Sequence, residues 1–162
     1  MLAKVTKELF DLTCETLKIE KKYRYELGLA AKLCMSGSTI HFYSYNKHSY
    51  ELIEDALEFG FTHEQIVLIA TLARFSKRKL PSSSHIERFE ALLPEANQLN
   101  ALSYLLSLSV ALLSHRPRNV DFTLHFENNV LEIVSKKSLY LARESVEKVE
   151  ALKNNPIKIS FL

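Results

Sequence analysis

The chain has 162 residues, of which 47% are hydrophobic and 25% are charged, with only three glycines and four prolines. These proportions exclude a disordered chain and favour a globular protein built from long helices with short connections. The formal net charge of +2 is too small to attract nucleic acid by bulk electrostatics. We therefore expect no nucleic-acid partner, and any electrostatic feature must be local.

Cysteine content and leader signals predict the compartment. Cys14 and Cys34 are too few for a disulfide framework, and we expect buried free thiols in a reducing cytosol. The first residues lack the apolar core and cleavage site of a signal peptide. Residues 96–114 carry no charge, but their asparagine, glutamine and serine side chains are costly in lipid unless paired. We therefore predict a cytoplasmic protein with a buried central helix rather than a membrane span.

Hydrophobic residues at spacings of three and four predict the first helices, over residues 2–16 and 23–35. Residues 38–46 are predicted to form a loop. Asn46 is predicted to cap a third helix, which ends at Gly60, a residue suited to the left-handed stop.

A capping box marks the next helix. Thr62 and Gln65 are spaced so that each side chain can bond the other's backbone, which predicts the start of a fourth helix. A short helix over 86–92 follows. Pro94 then begins the long uncharged helix, which ends before Pro117.

After this helix the hydrophobic period changes from helical to alternating. Asn128 and Asn129 predict the left-handed turn of a hairpin. The predicted elements are strands over 120–126, 130–134 and 157–161 and a helix over 142–152. The order is β-β-α-β. We predict a mainly α domain over residues 1–116, with a small α+β module over 117–162 packed on it.

Motifs for nucleophilic or metal chemistry are missing from the sequence. There is no Gly-x-Ser-x-Gly segment and no glycine-rich loop to cradle phosphate. The six histidines show no metal-ligand spacing. His41 and His48 flank a loop, but two histidines without a carboxylate make a weak metal site. We expect no cofactor.

One cationic constellation stands out. It consists of Lys47, His48, Arg74, Lys77, Arg78 and Lys79, and we call it the cationic corner. If the third and fourth helices are antiparallel neighbours, the start of one meets the end of the other. A polyanion there could receive helix N–H groups, bidentate arginine contacts and lysine charges, with a titratable proton from the histidine. The alternative is a solvated basic surface.

Four stretches resemble a known family. They are residues 30–37, 47–53, 72–78 and 105–113, which read Ala-Ala-Lys-Leu-Cys-Met-Ser-Gly, Lys-His-Ser-Tyr-Glu-Leu-Ile, Leu-Ala-Arg-Phe-Ser-Lys-Arg and Leu-Leu-Ser-Leu-Ser-Val-Ala-Leu-Leu. In order and spacing they are similar to the C-terminal helical region of the exopolyphosphatase/guanosine pentaphosphate phosphatase (Ppx/GppA) family, which is related to the HD phosphohydrolases. The resemblance implies an HD-like helical domain. It also implies N-terminal actin-like domains, where the family hydrolyses phosphoanhydrides and which we expect in a longer parent protein.

The departures from the family pattern concern metal ligands. Cys34 and Met35 stand where HD enzymes keep a paired histidine and aspartate, and Val110 stands where they keep the last metal-binding aspartate. Ser76 replaces a further histidine, and the first HD histidine would fall before Met1. Hard divalent cations need oxygen or imidazole ligands. The resemblance therefore implies a degenerate HD domain that retains the cationic corner.

Three functions follow as hypotheses. The first is a non-catalytic domain that binds polyphosphate or guanosine polyphosphate, or guides it toward the actin-like domains. The second is an interaction or homodimerisation module, which would use the uncharged helix and the aromatic loop 42–45. The third is a residual metal-dependent phosphohydrolase.

Overall fold

The computed structural model describes residues 1–77, 79–150 and 157–162. Within them the chain forms α1 (Leu2–Thr13), α2 (Arg24–Leu33), α3 (Tyr45–Ala56), α4 (His63–Arg74), α5 (Ser83–Arg88), α6 (Ala96–Leu112), β1 (Thr123–Glu127), β2 (Val130–Val134), α7 (Tyr140–Glu150) and β3 (Lys158–Phe161). The predicted class, mainly α with a small β-β-α-β module, is confirmed. Leu152, a predicted residue of the last helix, lies outside the described residues.

Helix α6 forms the centre of the core. Its leucines at 99, 102, 105, 106, 108 and 112 are fully buried. The helix packs against α1, α2, α4 and α7. Its buried Ser109 hydroxyl donates to the Leu105 carbonyl at 2.7 Å, so this polar group has a partner in the core. The predicted buried central helix is confirmed. Among the described residues, no helix has the length and apolarity required to cross a bilayer.

The predicted capping box joins α4 to its neighbours. The Thr62 hydroxyl accepts from the Gln65 N–H at 3.3 Å, and the Gln65 side-chain oxygen accepts from the Thr62 N–H at 3.1 Å. The Gln65 amide also donates to Glu26 of α2 at 2.9 Å. Gly60 has a φ of 87°, as expected for a left-handed stop, although α3 itself ends earlier, at Ala56.

The predicted N-cap role of Asn46 is wrong. Helix α3 begins at Tyr45, after Ser44. The Asn46 side-chain amide instead donates to the Arg74 carbonyl at 2.8 Å, across the gap to the end of α4. Carbonyl groups at a helix end lack intrahelical partners. The asparagine therefore stabilises the neighbouring helix rather than its own.

Other boundaries differ by a few residues. The first helix ends at Thr13, since turns follow and Lys18 takes a φ of 54°. The predicted loop 38–46 overlaps a 3₁₀ turn over Ser36–Thr39. Helix α5 begins earlier than predicted because the Ser82 hydroxyl accepts from the His85 N–H at 3.4 Å.

The three strands form one sheet in the order β1-β2-β3, the first pair antiparallel and the second parallel. Asn128 and Asn129 have φ values of 50° and 62°, which confirms the predicted hairpin turn. Helix α7 packs on α6, and β1 contacts α1. At the junction, His115 Nε2 lies 3.0 Å from an Asp121 carboxylate oxygen. The domain division at residue 117 stays a prediction.

Candidate functional site

The structure brings both segments of the cationic corner to one place. The start of α3 lies beside the end of α4, as the Asn46–Arg74 hydrogen bond shows. The Lys77 ammonium also donates to the Tyr43 carbonyl at 2.8 Å, just before α3. The side chains of Lys47, Lys77 and Lys79 are exposed, and those of His48 and Arg74 are half-buried. Arg78 lies outside the described residues.

Carboxylates neutralise little of this corner. His48 Nδ1 lies 3.3 Å from a Glu51 carboxylate oxygen, one turn along α3. Among the ion pairs formed by described residues, none involves Lys47, Arg74, Lys77 or Lys79. The lysines and Arg74 of the corner that the structure describes therefore form no ion pair with a carboxylate.

Aromatic rings hold the Arg74 guanidinium in place. Its Cζ lies 4.9 Å from the centroid of the Tyr50 ring and 5.9 Å from that of Phe75. Such cation–π contacts restrict the side chain without consuming its N–H donors. Burial, and then the hydrogen bond to Glu54, raises the pKa of Tyr50 to about 12, so this hydroxyl stays protonated at neutral pH.

Two residues of the site escaped sequence reasoning: His85 and Arg88. The His85 ring lies 5.2 Å from the Phe75 centroid and 4.9 Å from that of Phe89. Arg88 stacks on Phe89 at 5.2 Å. The positive charges of Arg74 and Arg88 both act on His85. The available signal was their spacing of three on one short helix, which places them on one face.

His85 is a buried, neutral imidazole within this cluster. Its Nε2 lies 2.8 Å from the hydroxyl of Thr71, which is itself fully buried. Burial, followed by the charges of Arg74 and Arg88, lowers the pKa of His85 from its usual 6.5. Protonation would place a third positive charge beside two guanidinium groups.

We expect the fold to lose stability on mild acidification through His85. Because its folded-state pKa is below the unfolded value of 6.5, the unfolded chain takes up the proton first. The contribution of His85 to the free energy of unfolding is therefore complete above the unfolded-state pKa, and it is lost as pH falls through the folded-state pKa. We expect the difference in free energy of unfolding between wild type and His85→Gln to shrink as pH falls from about 7.5 to 5.5. Urea unfolding at several pH values measures it.

His125→Gln is the matched control for this titration, since His125 is exposed on β1. Because an exposed side chain contributes little to folding, we expect its free energy of unfolding at about pH 7.5 to stay close to that of the wild type. If the difference in free energy of unfolding between wild type and His85→Gln is constant with pH, His85 does not have the lowered folded-state pKa.

The buried side chain of Ser49 connects α3 to the end of α2. The buried Ser49 hydroxyl donates to the Cys34 carbonyl at 2.8 Å and accepts from the Gly37 N–H at 2.9 Å. These bonds tie the end of α2 and the following 3₁₀ turn to α3. They also join two of the four stretches that carry the family resemblance, residues 30–37 and 47–53.

The family model for Ppx/GppA phosphatase, domain III, matches residues 2–155. The chain belongs to the Ppx/GppA phosphatase family. The resemblance inferred from the four stretches is thus confirmed, and the matching domain is the third. No curated protein matches the chain.

The resemblance implies degenerate HD positions at Cys34, Met35 and Val110. Cys34 is fully buried, and burial raises the pKa of its thiol to about 12. Met35 is exposed and offers only a thioether, while Val110 packs against the core. Ser76 donates to the Ala73 carbonyl at 2.8 Å. Nowhere in the described part of the chain do three histidine, cysteine or acidic side chains converge.

The donor chemistry at these positions therefore does not fit a hard divalent cation. Such ions take carboxylate oxygen or neutral imidazole ligands. A thiol with a pKa near 12 stays protonated at neutral pH, and a thiolate would be required for coordination. For the cationic corner, the bonds of Asn46 and Lys77 bring the start of α3 and the segment that ends α4 together.

Proposed function

We propose that this Ppx/GppA domain III is a non-catalytic domain that binds polyphosphate or guanosine polyphosphate at the cationic corner, or guides it toward the actin-like domains of the family. The observation that carries the proposal is the junction of α3 and α4. Lys47, Arg74 and Lys77 lie at one end of this helix pair, and none of them takes part in an ion pair among the residues that the structure describes.

The chemistry of the corner suits a flexible chain of phosphates. Arg74 is oriented by two rings and keeps its N–H donors for bidentate contacts. Exposed lysines supply point charges for the phosphate oxygens of a polyanion. Arg88 adds a second guanidinium, held 5.2 Å from the centroid of the Phe89 ring that also contacts His85. Together they support repeated, weakly specific contacts rather than a closed pocket for one phosphate.

The non-catalytic part of the proposal rests on the donor set. The residues at the HD positions are a protonated buried thiol, a thioether and an aliphatic side chain. We therefore assign no hydrolytic step to this domain. Hydrolysis, where the family performs it, is expected from the actin-like domains.

Isothermal titration with polyphosphate at low and high salt tests the proposal. The variant Arg74→Gln plus Lys77→Gln should weaken binding at low salt by at least about tenfold, since charge-assisted contacts to phosphate are lost. Wild-type affinity should fall as salt rises. Lys136→Gln plus Lys137→Gln removes the same charge from an exposed loop of the sheet module and should leave affinity nearly unchanged.

Two results would contradict the proposal. One is an absence of binding at low salt. The other is equal weakening by both double variants, because net charge rather than the corner would then explain the affinity. Circular dichroism of each variant checks that the helices are retained.

A second candidate function is that of a homodimerisation or interaction module. Of the two features that suggested it, the exposed aromatic loop still supports it. The apolar residues of α6 are used in the core, so this helix does not supply a free face. The aromatic loop does remain open, with Phe42 and Tyr43 exposed at 53% and 80%. Sedimentation velocity over a wide concentration range tests it, and a concentration-independent monomer would remove the homodimer.

A further inference from the structure

The loop before α3 presents two large aromatic rings to solvent. Tyr43 is 80% exposed and Phe42 is 53% exposed. Their ring centroids are 5.6 Å apart with an interplanar angle of 85°. Neither ring is part of the hydrophobic core, so packing of the fold does not explain them.

Positive groups lie close to this pair of rings. The Arg116 guanidinium carbon lies 5.7 Å from the Phe42 centroid, and the Lys77 ammonium bonds the Tyr43 carbonyl. The His41 ring lies 6.3 Å from Tyr43 and 6.2 Å from His48. We call these six residues the aromatic strip. It extends the cationic corner toward the end of α6.

The loop is also held in position. The Ser44 N–H donates to His41 Nδ1 at 3.2 Å, and the Lys77 bond fixes the Tyr43 backbone at 2.8 Å. A surface that is already ordered loses little conformational entropy when a ligand binds. The rings are therefore available for stacking without rearrangement of the chain.

We propose that the aromatic strip binds single-stranded nucleic acid. Bases stack on Phe42 and Tyr43, and backbone phosphates contact Arg116 and Lys77. Aromatic rings combined with nearby cations suit a single strand, because every base has a π-face and every nucleotide carries one charge. The proposal goes beyond polyphosphate binding, since a polyphosphate chain has no base to stack.

Two physical reasons favour a single strand over a duplex. Duplex bases are already stacked on each other, so exposed rings gain nothing from them. Duplex binding also draws mainly on phosphate charge, and the net charge of +2 supplies little. The small net charge predicted no nucleic-acid partner through bulk attraction. The strip is a local feature which that reasoning did not cover.

Fluorescence anisotropy with a labelled oligouridine of about 12 nucleotides, at low salt, tests the inference on the full chain. The variant Phe42→Leu plus Tyr43→Leu keeps apolar bulk and removes the rings. We expect it to weaken binding of the single strand by at least about tenfold and to leave polyphosphate binding unchanged. Tyr140→Leu, at another exposed ring (71%), should have no effect on either ligand.

Several outcomes would overturn the inference. They are no binding of the single strand by the wild type, equal affinity for a duplex of the same length, and no loss in the double leucine variant. A change of association state in that variant, seen by sedimentation, would assign the rings to a second copy of the chain instead. If the wild type binds oligouridine but does not bind polyphosphate, the result would contradict the proposed function and leave this inference standing.

Discussion

Replacing Gly37 with alanine is expected to lower the free energy of unfolding by about 3 kcal/mol and to weaken polyphosphate binding at the corner. An added Cβ would overlap the Tyr45 carbonyl and lie 2.5 Å from the Ser49 nitrogen and 2.7 Å from His48 Cβ. These obstacles are mostly backbone atoms of α3, so the 3₁₀ turn or the start of the helix must move. Urea unfolding followed by circular dichroism measures the first effect, and titration with polyphosphate measures the second.

Gly28→Ala is the matched control. Its added Cβ would overlap the Lys7 side chain, which is flexible and can swing aside. Gly28 lies within α2, where alanine is a better helix former by about 1 kcal/mol. We expect unchanged or slightly raised stability. An equal loss in both variants, or no loss in Gly37→Ala, would contradict the close approach of the turn to α3.

Replacing Leu105 with alanine is expected to lower the free energy of unfolding by about 3 kcal/mol. Leu105 is fully buried on the central helix α6. Removing its methyl groups loses apolar burial and leaves a cavity that neighbouring helices cannot fill completely. The measurement is chemical denaturation at neutral pH, with the slope of the transition compared between variants to confirm two-state unfolding.

Val110→Ala, on the same helix, is the control for this change. Val110 is only partly buried against the core, and we expect a loss of about 1 kcal/mol or less. Similar losses at both positions would contradict the placement of α6. A small loss at Leu105 would also remove the reason for excluding this helix as a free dimerisation face.

Sequence reasoning did well where one segment decides its own conformation. The Thr62–Gln65 capping box and the Asn128-Asn129 turn both form as predicted. Each depends on contacts within a few residues or on the φ preference of a single residue type. The long uncharged run over residues 96–114 could likewise be recognised as a core helix, since its composition has no other low-energy place in a globular protein.

Only part of the candidate site could be predicted from the sequence. Spacing within the chain indicated Lys47, His48, Arg74 and Lys77, because they cluster along the sequence. His85 and Arg88 lie on a short helix whose His85 side chain contacts Tyr50 of α3 and Thr71 of α4. Asn46 shows the same limit, since its side chain bonds the Arg74 carbonyl, 28 residues away.

The amino-acid sequence by itself determined the helical class and the family, because residue identity and local spacing set these. Only the tertiary structure decided that the cations share one end of a helix pair and that aromatic rings extend them. Contacts between residues distant along the chain depend on how helices pack, and local preference carries little information about that.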